Sequence, residues 1–220
     1  MLDINCGIEP VGFVTLGFSA TVLNLLLIAL LAGEAQGTLD ARARETTLSA
    51  LHDLTRALPE VIRRSEAFIT RHQAVLAAAP RYVAIGYGGL TGVAKEFETK
   101  FTETVRRPSS GVELEAYMHG PYLEANQEHL LLFIEAAPHP RLAALRDYMR
   151  PHVKAAFTLS AEGDSSENQL GLNYPIDPLL APLLLIVPVQ IMAYRVATLK
   201  GINLSVRIFD DFDQVLQSKI

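Results

Sequence analysis

Glu96, Lys100, Glu103 and Arg107 follow one another at steps of four, three and four, so a helix through them carries all four on one face. Such a stripe sets a carboxylate able to carry a proton beside an ammonium able to anchor it. Just upstream runs Ala84-Ile85-Gly86-Tyr87-Gly88-Gly89-Leu90-Thr91-Gly92, an apolar strand ending in a glycine turn. Glycines at a strand-to-helix turn let a ligand approach the backbone, and free N–H groups at a helix start suit an anionic group. Downstream, His119-Gly120-Pro121 brings an imidazole into a loop. A solvated, salt-bridged face has the same spacing as the stripe, so the pattern by itself leaves both readings open.

The elements that must position these groups are legible as alternating runs. A strand is expected over 82–85 and a helix over 92–107. Further strands are expected over 129–136, 153–159 and 170–174, with helices over 140–149 and 179–200. The strand runs are continuously apolar, as in Leu130-Leu131-Leu132-Phe133-Ile134, which marks a parallel sheet covered on both faces. Ligands in such folds sit at the carboxyl ends of strands, where the Gly86–Gly92 turn and the Ala161–Asp164 loop fall. Ser160 and Ser165-Ser166 stand in these strand-end loops and could contact a ligand or simply make a polar turn. Ahead of this alternation come a strand tail and turn (1–7), a long apolar helix (17–34), a small-residue break (33–40) and two helical stretches over 41–79 that part before Pro59. A strand tail and one helix cannot form a domain alone, so residues 1–37 read as the last piece of a preceding sheet domain.

The chain has 220 residues and a net charge of -5, without the clustered Lys and Arg of a nucleic-acid surface. Its one cysteine, Cys6, excludes an internal disulfide and a cysteine-based zinc site, and fits a reducing cytoplasm. The histidines show no metal-ligand spacing, so no metal is expected. Residues 13–33 are uncharged and long enough to span a bilayer, and 179–197 are similar but interrupted by Pro182, Pro188, Gln190 and Arg195. Neither has a polybasic flank, and a helix buried in a protein is equally apolar, so no membrane partner is expected.

The order of motifs resembles the sugar isomerase (SIS) family, in particular the C-terminal half of the double-SIS isomerase module of glucosamine-6-phosphate synthases and fructosamine-6-phosphate deglycases. That pattern runs as a Gly-x-Gly turn (Gly86, Gly88), a helix with Glu-x-x-x-Lys-x-x-Glu (Glu96, Lys100, Glu103), and His-Gly-Pro (His119-Gly120-Pro121). A later Pro-x-Gln-x-x-Ala-Tyr segment is present from Pro188 to Tyr194, followed by Gly201. Gly7-Ile8-Glu9 and Val14-Thr15-Leu16-Gly17-Phe18 resemble the end of the family's first SIS domain. The resemblance implies an α/β three-layer sandwich, a parallel sheet flanked by helices, with residues 1–37 a remnant of the first SIS domain and 38–220 the second.

It implies aldose–ketose or fructosamine 6-phosphate chemistry by proton transfer, with no cofactor. Glu103 would be the proton carrier, His119 the acid/base for ring opening, and Lys100 the group that orients Glu103 or a substrate hydroxyl. Apolar Phe97 and Phe101 beside Glu103 would raise its pKa and Lys100 would lower it. Gly86, Gly88, Thr15 and Lys219 would contact substrate. In the family the His-Gly-Pro loop reaches the neighbouring subunit's site, which implies a homodimer. Three departures set the chain off from the family pattern: Leu16 stands where the family often has Lys, Glu113-Leu114-Glu115-Ala116-Tyr117-Met118 replaces a glycine- and alanine-rich run, and Phe212 stands where the C-terminal tail places a Lys, an ending that argues for a deglycase or isomerase-like relative rather than a synthase. Lys219 is the substitute at a different spacing. A non-catalytic phosphosugar-binding or regulatory module is the alternative, since SIS domains also sense phosphosugars.

Overall fold

The computed structural model describes residues 4–9 and 12–217. Its centre is a parallel sheet of five strands: β1 (Arg81–Gly86), β2 (Ser109–Glu113), β3 (His129–Glu135), β4 (Ala155–Ser160) and β5 (Gln169–Gly171), in the order β2-β1-β3-β4-β5. The register is continuous across the middle, with Ala84 opposite Gly111 on one side and Leu132 on the other. Every residue of β3 is buried, which explains why its sequence shows no polar alternation.

The helices are α1 (Leu16–Ala35), α2 (Ala41–Ala78), α3 (Leu90–Lys100), α4 (Leu114–Met118), α5 (Pro140–Met149), α6 (Ala181–Leu199) and α7 (Phe212–Leu216). Alternate strand residues divide the core into two layers. Tyr82, Ala84, Leu130, Leu132 and Leu159 face α2, α3 and α6; Val83, Ile85, Leu131 and Phe133 face α4 and α5. This is the expected three-layer α/β sandwich. Each fully buried Leu or Phe contributes about 1.5–3 kcal/mol of apolar transfer.

Four expectations need correction. The two helical stretches over 41–79 are one helix, α2, with Pro59 inside it. Proline leaves the Thr55 carbonyl without its helical donor, but Pro59 and Thr55 both face solvent, where water replaces the bond. Strand β2 has no counterpart in the sequence reading: Ser109-Ser110-Gly111-Val112-Glu113 is a polar edge strand whose Gly111 is required because a Cβ would meet the Ala94 carbonyl oxygen at 1.9 Å. The helix expected to 107 stops as α-helix at Lys100 and finishes as one π-turn, Phe101–Val105. Residues 4–7 form no strand, and residues 1–3 of that expected strand tail lie outside the described residues.

α1 packs on the sandwich by one side only, through half-buried Phe18, Val22, Leu23 and Leu26. Of its residues only Gly17 is buried, and Leu25, Ile28 and Leu31 are exposed. Both α1 and α6 are long and apolar enough to cross a membrane by length and composition, but α6 is half buried as a core helix.

Candidate active site

The charged stripe lies at the far end of α3 from the glycine turn. The Lys100 ammonium is 4% exposed and pairs with Glu103 at 2.8 Å and Glu96 at 3.5 Å. One buried cation thus joins two carboxylates of unlike surroundings: the Glu96 side chain is 11% exposed and that of Glu103 39%. Burial pushes the Glu96 carboxyl above the ordinary carboxylate range, while Lys100 pulls it down and Glu103 pushes it up. The burial expected at Glu103 falls on Glu96 instead, while Phe97 and Phe101 stack on each other at 4.0 Å inside the core.

The π-turn decides where Glu103 points. Arg106 N–H donates to the Phe101 carbonyl, five residues back, and Arg106 is left-handed at φ 55. π-turns are rare and recur at functional sites. Here the turn ends the stripe at Glu103, and Arg107 lies beyond it. The Thr104 hydroxyl donates to the Lys100 carbonyl at 2.7 Å, which ties the turn to the helix before it.

Lys100 and Thr104 line a cleft of about 480 Å³ with Thr15, Glu66, Gln190 and Tyr194 among its other walls. The structure therefore joins Lys100 to Thr15, 85 residues earlier in the chain. Thr15 spends its N–H and hydroxyl on Glu9, at 2.9 and 2.7 Å, and its carbonyl accepts from Gln190 Nε2 at 3.2 Å. Glu9 also takes the N–H groups of Leu16 and Gly17, so a carboxylate from the chain itself fills the anion position at the start of α1. Burial opposes ionisation of Glu9, but these bonds outweigh it and hold its pKa at about 2. Of the cleft walls, Gln190 and Tyr194 fall in the Pro188–Tyr194 segment, whereas Glu66, paired with Arg195 at 3.1 Å, carried no sequence signal.

The remaining candidates stand elsewhere. Gly86 closes β1, and a Cβ there would meet the Leu90 carbonyl oxygen at 2.5 Å, so helix packing accounts for that glycine. Gly88 is left-handed at φ 55. The first N–H groups of α3, from Leu90, Thr91 and Gly92, donate to the carbonyls of Tyr87, Gly88 and Gly89. From this turn to Lys100 α3 runs back along the sheet for about 15 Å. His119 follows α4, in the layer on the other side of the sheet, and is exposed. Its Nδ1 lies 2.7 Å from the Glu115 carbonyl, which fixes the ring proton there and leaves Nε2 free to accept. Among the described residues no hydrogen bond, ion pair or shared cleft links His119 to Lys100 or Glu103. Lys219 lies outside the described residues, and no cluster able to hold a metal occurs among them.

A parallel five-stranded sheet flanked by helices is also the fold of solved proteins assigned as phosphosugar isomerases. The chain matches a protein of Clostridium difficile 630 assigned as a phosphosugar isomerase with a TM-score of 0.87 and 25% identity, over 99% of this chain and 62% of that one. In sequence it is 26% identical to the isomerizing glutamine–fructose-6-phosphate aminotransferase of Caulobacter vibrioides over 207 residues, 90% of this chain and 34% of that protein. The aminotransferase of the same name from Gluconobacter oxydans is 29% identical, over 91% of this chain and 34% of its own length. No family model matches the sequence. The chain spans about a third of the length of these curated relatives. In sequence and fold the chain is thus similar to sugar isomerase (SIS) proteins of the phosphosugar-isomerase type.

Proposed function

We propose that this chain is one half of a phosphosugar isomerase or deglycase, in which Glu103 carries the proton between adjacent carbons of a sugar 6-phosphate. On this reading residues 1–37 belong to a first SIS unit and 38–220 to a second. The observation that carries the proposal is the buried Lys100 bridging Glu96 and Glu103 at the wall of a 480 Å³ cleft. A half-exposed carboxylate held at 2.8 Å by a buried ammonium is oriented and still reachable by substrate, which general base catalysis requires. His119 opens the sugar ring with its free Nε2. Because His119 lies across the sheet from Lys100, it serves the site of a second copy in a homodimer.

The reaction is tested with the full chain and fructose 6-phosphate, glucosamine 6-phosphate and a fructosamine 6-phosphate in deuterium oxide. Exchange of solvent deuterium into the sugar is followed by NMR. Exchange that falls about 10²–10⁴-fold on Glu103→Gln supports the proton carrier. Binding of these sugars without exchange would overturn the enzyme reading and favour a phosphosugar-binding module.

A further inference from the structure

A second cleft opens at the carboxyl ends of β3 and β4, the edge opposite the Lys100 cleft. It has a volume of about 420 Å³, and Glu135, His139, Arg146, Ser160 and Glu162 are among its walls. It lies beside the point where strand order reverses, with β1 leading outward to β2 and β3 leading outward to β4 and β5. Such a crevice is where open α/β sheets take ligands.

Two of its groups are built into the core with little within the protein to satisfy them. Glu135 is 5% exposed, and among the described residues it forms no ion pair. Its carboxylate accepts a long bond from the His139 backbone N–H at 3.4 Å. Ser160 is 1% exposed, and its hydroxyl makes no hydrogen bond of proper geometry, although it lies near Glu135, whose carboxyl burial pushes above the ordinary range while the His139 N–H, Ser160 and Arg146 pull it back. A buried hydroxyl left open and a buried carboxylate left unpaired each cost free energy unless a ligand completes them. His139 adds a donor. Its Nδ1 accepts from the Leu142 N–H at 3.3 Å as the cap of α5, so the ring proton of the neutral form is on Nε2.

The charge balance chooses the ligand. Arg146 is already spent: it pairs with Asp147 at 3.0 Å and donates to the Thr158 hydroxyl at 3.1 Å. Arg146 lines the cleft and attracts Glu135 from a distance, but among the described residues neither Glu135 nor Glu162 forms an ion pair, so the walls stay net acidic. A phosphate or carboxylate would meet two like charges there. An ammonium would meet a buried acceptor, and neighbouring hydroxyls would find Ser160 and His139.

We propose that this crevice is a second ligand site, for a small molecule that carries a protonated amine beside hydroxyl groups, held by Glu135 with Ser160 and His139. The site stands independently of the reaction at the Lys100 cleft. The test is a titration of the full chain, followed by amide NMR, with 2-amino-1,3-propanediol and separately with glycerol, which differ only by amine against hydroxyl. The proposal expects saturable shifts at Ala137, Ala161 and Gly163 with the amine, at least ten-fold weaker binding of glycerol, and no shifts around Lys100. Glu135→Gln keeps the shape and is expected to weaken the amine at least ten-fold. Ser160→Ala, which removes only the open hydroxyl, is expected to weaken it several-fold. Equal binding of the two compounds, an unchanged affinity in the Gln variant, or no saturable shift would overturn the proposal.

Discussion

At the residue scale the site is an electrostatic compromise around one buried lysine. Lys100 has two carboxylates within 3.5 Å, and the more buried of them, Glu96, is pushed toward its neutral form. Removing the cation strands Glu96 in the core, so Lys100→Met should destabilise the fold by about 3–5 kcal/mol. Denaturant unfolding checks this, and Glu96→Gln in the same chain should restore part of the loss by removing the stranded charge. Glu103→Gln differs: the Glu103 side chain is itself 39% exposed, so exchange chemistry is lost while stability moves by less than about 1 kcal/mol. A large stability loss in Glu103→Gln would mean that the stripe is structural. The Glu-x-x-x-Lys-x-x-Glu spacing made the triad legible, since it needs nothing beyond helix periodicity. What the spacing could not show is which carboxylate is buried, because that depends on α6 packing over Thr104 from 89 residues away. Glu66 was illegible for the same reason, since it enters the cleft from α2 through tertiary packing alone.

At the scale of elements, two helices carry unusual features that make measurable claims. In α2, Pro59 faces solvent in an otherwise regular helix of 38 residues. Pro59→Ala restores a backbone donor without touching the core, and should stabilise the protein by about 1–3 kcal/mol as read from the thermal midpoint. A loss of stability would show that the proline sets a bend the core needs. At α1, Glu9 caps the helix through four hydrogen bonds and has a pKa lowered to about 2 from 4.5. A carboxyl whose folded pKa is depressed stabilises above its unfolded value and loses that contribution as pH falls toward the folded one. Stability should therefore drop between about pH 4.5 and 2 by an increment on the order of 1 kcal/mol, small because solvent screens an exposed cap. Glu9→Gln should lack that increment in thermal melts across the same window. Strands β1, β3 and β4 were legible as apolar runs because both their faces are covered. β2 was not, because an edge strand of Ser, Ser and Gly looks like a turn until its neighbour supplies the pairing. The break expected at Pro59 followed local propensity, which an exposed proline in a packed helix overrides.

At the scale of the whole molecule, the two groups proposed to act on one substrate stand in different layers. Lys100 and Glu103 belong to the layer of α2, α3 and α6, and His119 follows α4 in the layer of α5. The sheet lies between them, and side chains do not reach through a sheet whose β3 is wholly buried. If both groups serve one reaction, the imidazole comes from another copy, and a twofold dimer supplies it reciprocally. This makes a prediction that stability measurements cannot imitate. Glu103→Gln and His119→Ala should each be inactive in deuterium exchange when purified alone. Unfolded together in equal amounts and refolded, half of the dimers should be mixed, and each mixed dimer holds one intact site, built from the Glu103 of one chain and the His119 of the other. Activity should return to about a quarter of the wild-type value at equal concentration. If mixing restores nothing while both variants still dimerise, His119 acts within its own chain or not at all. Recovery near a quarter would assign the ring-opening base to the partner and explain why His119 is exposed in a single chain.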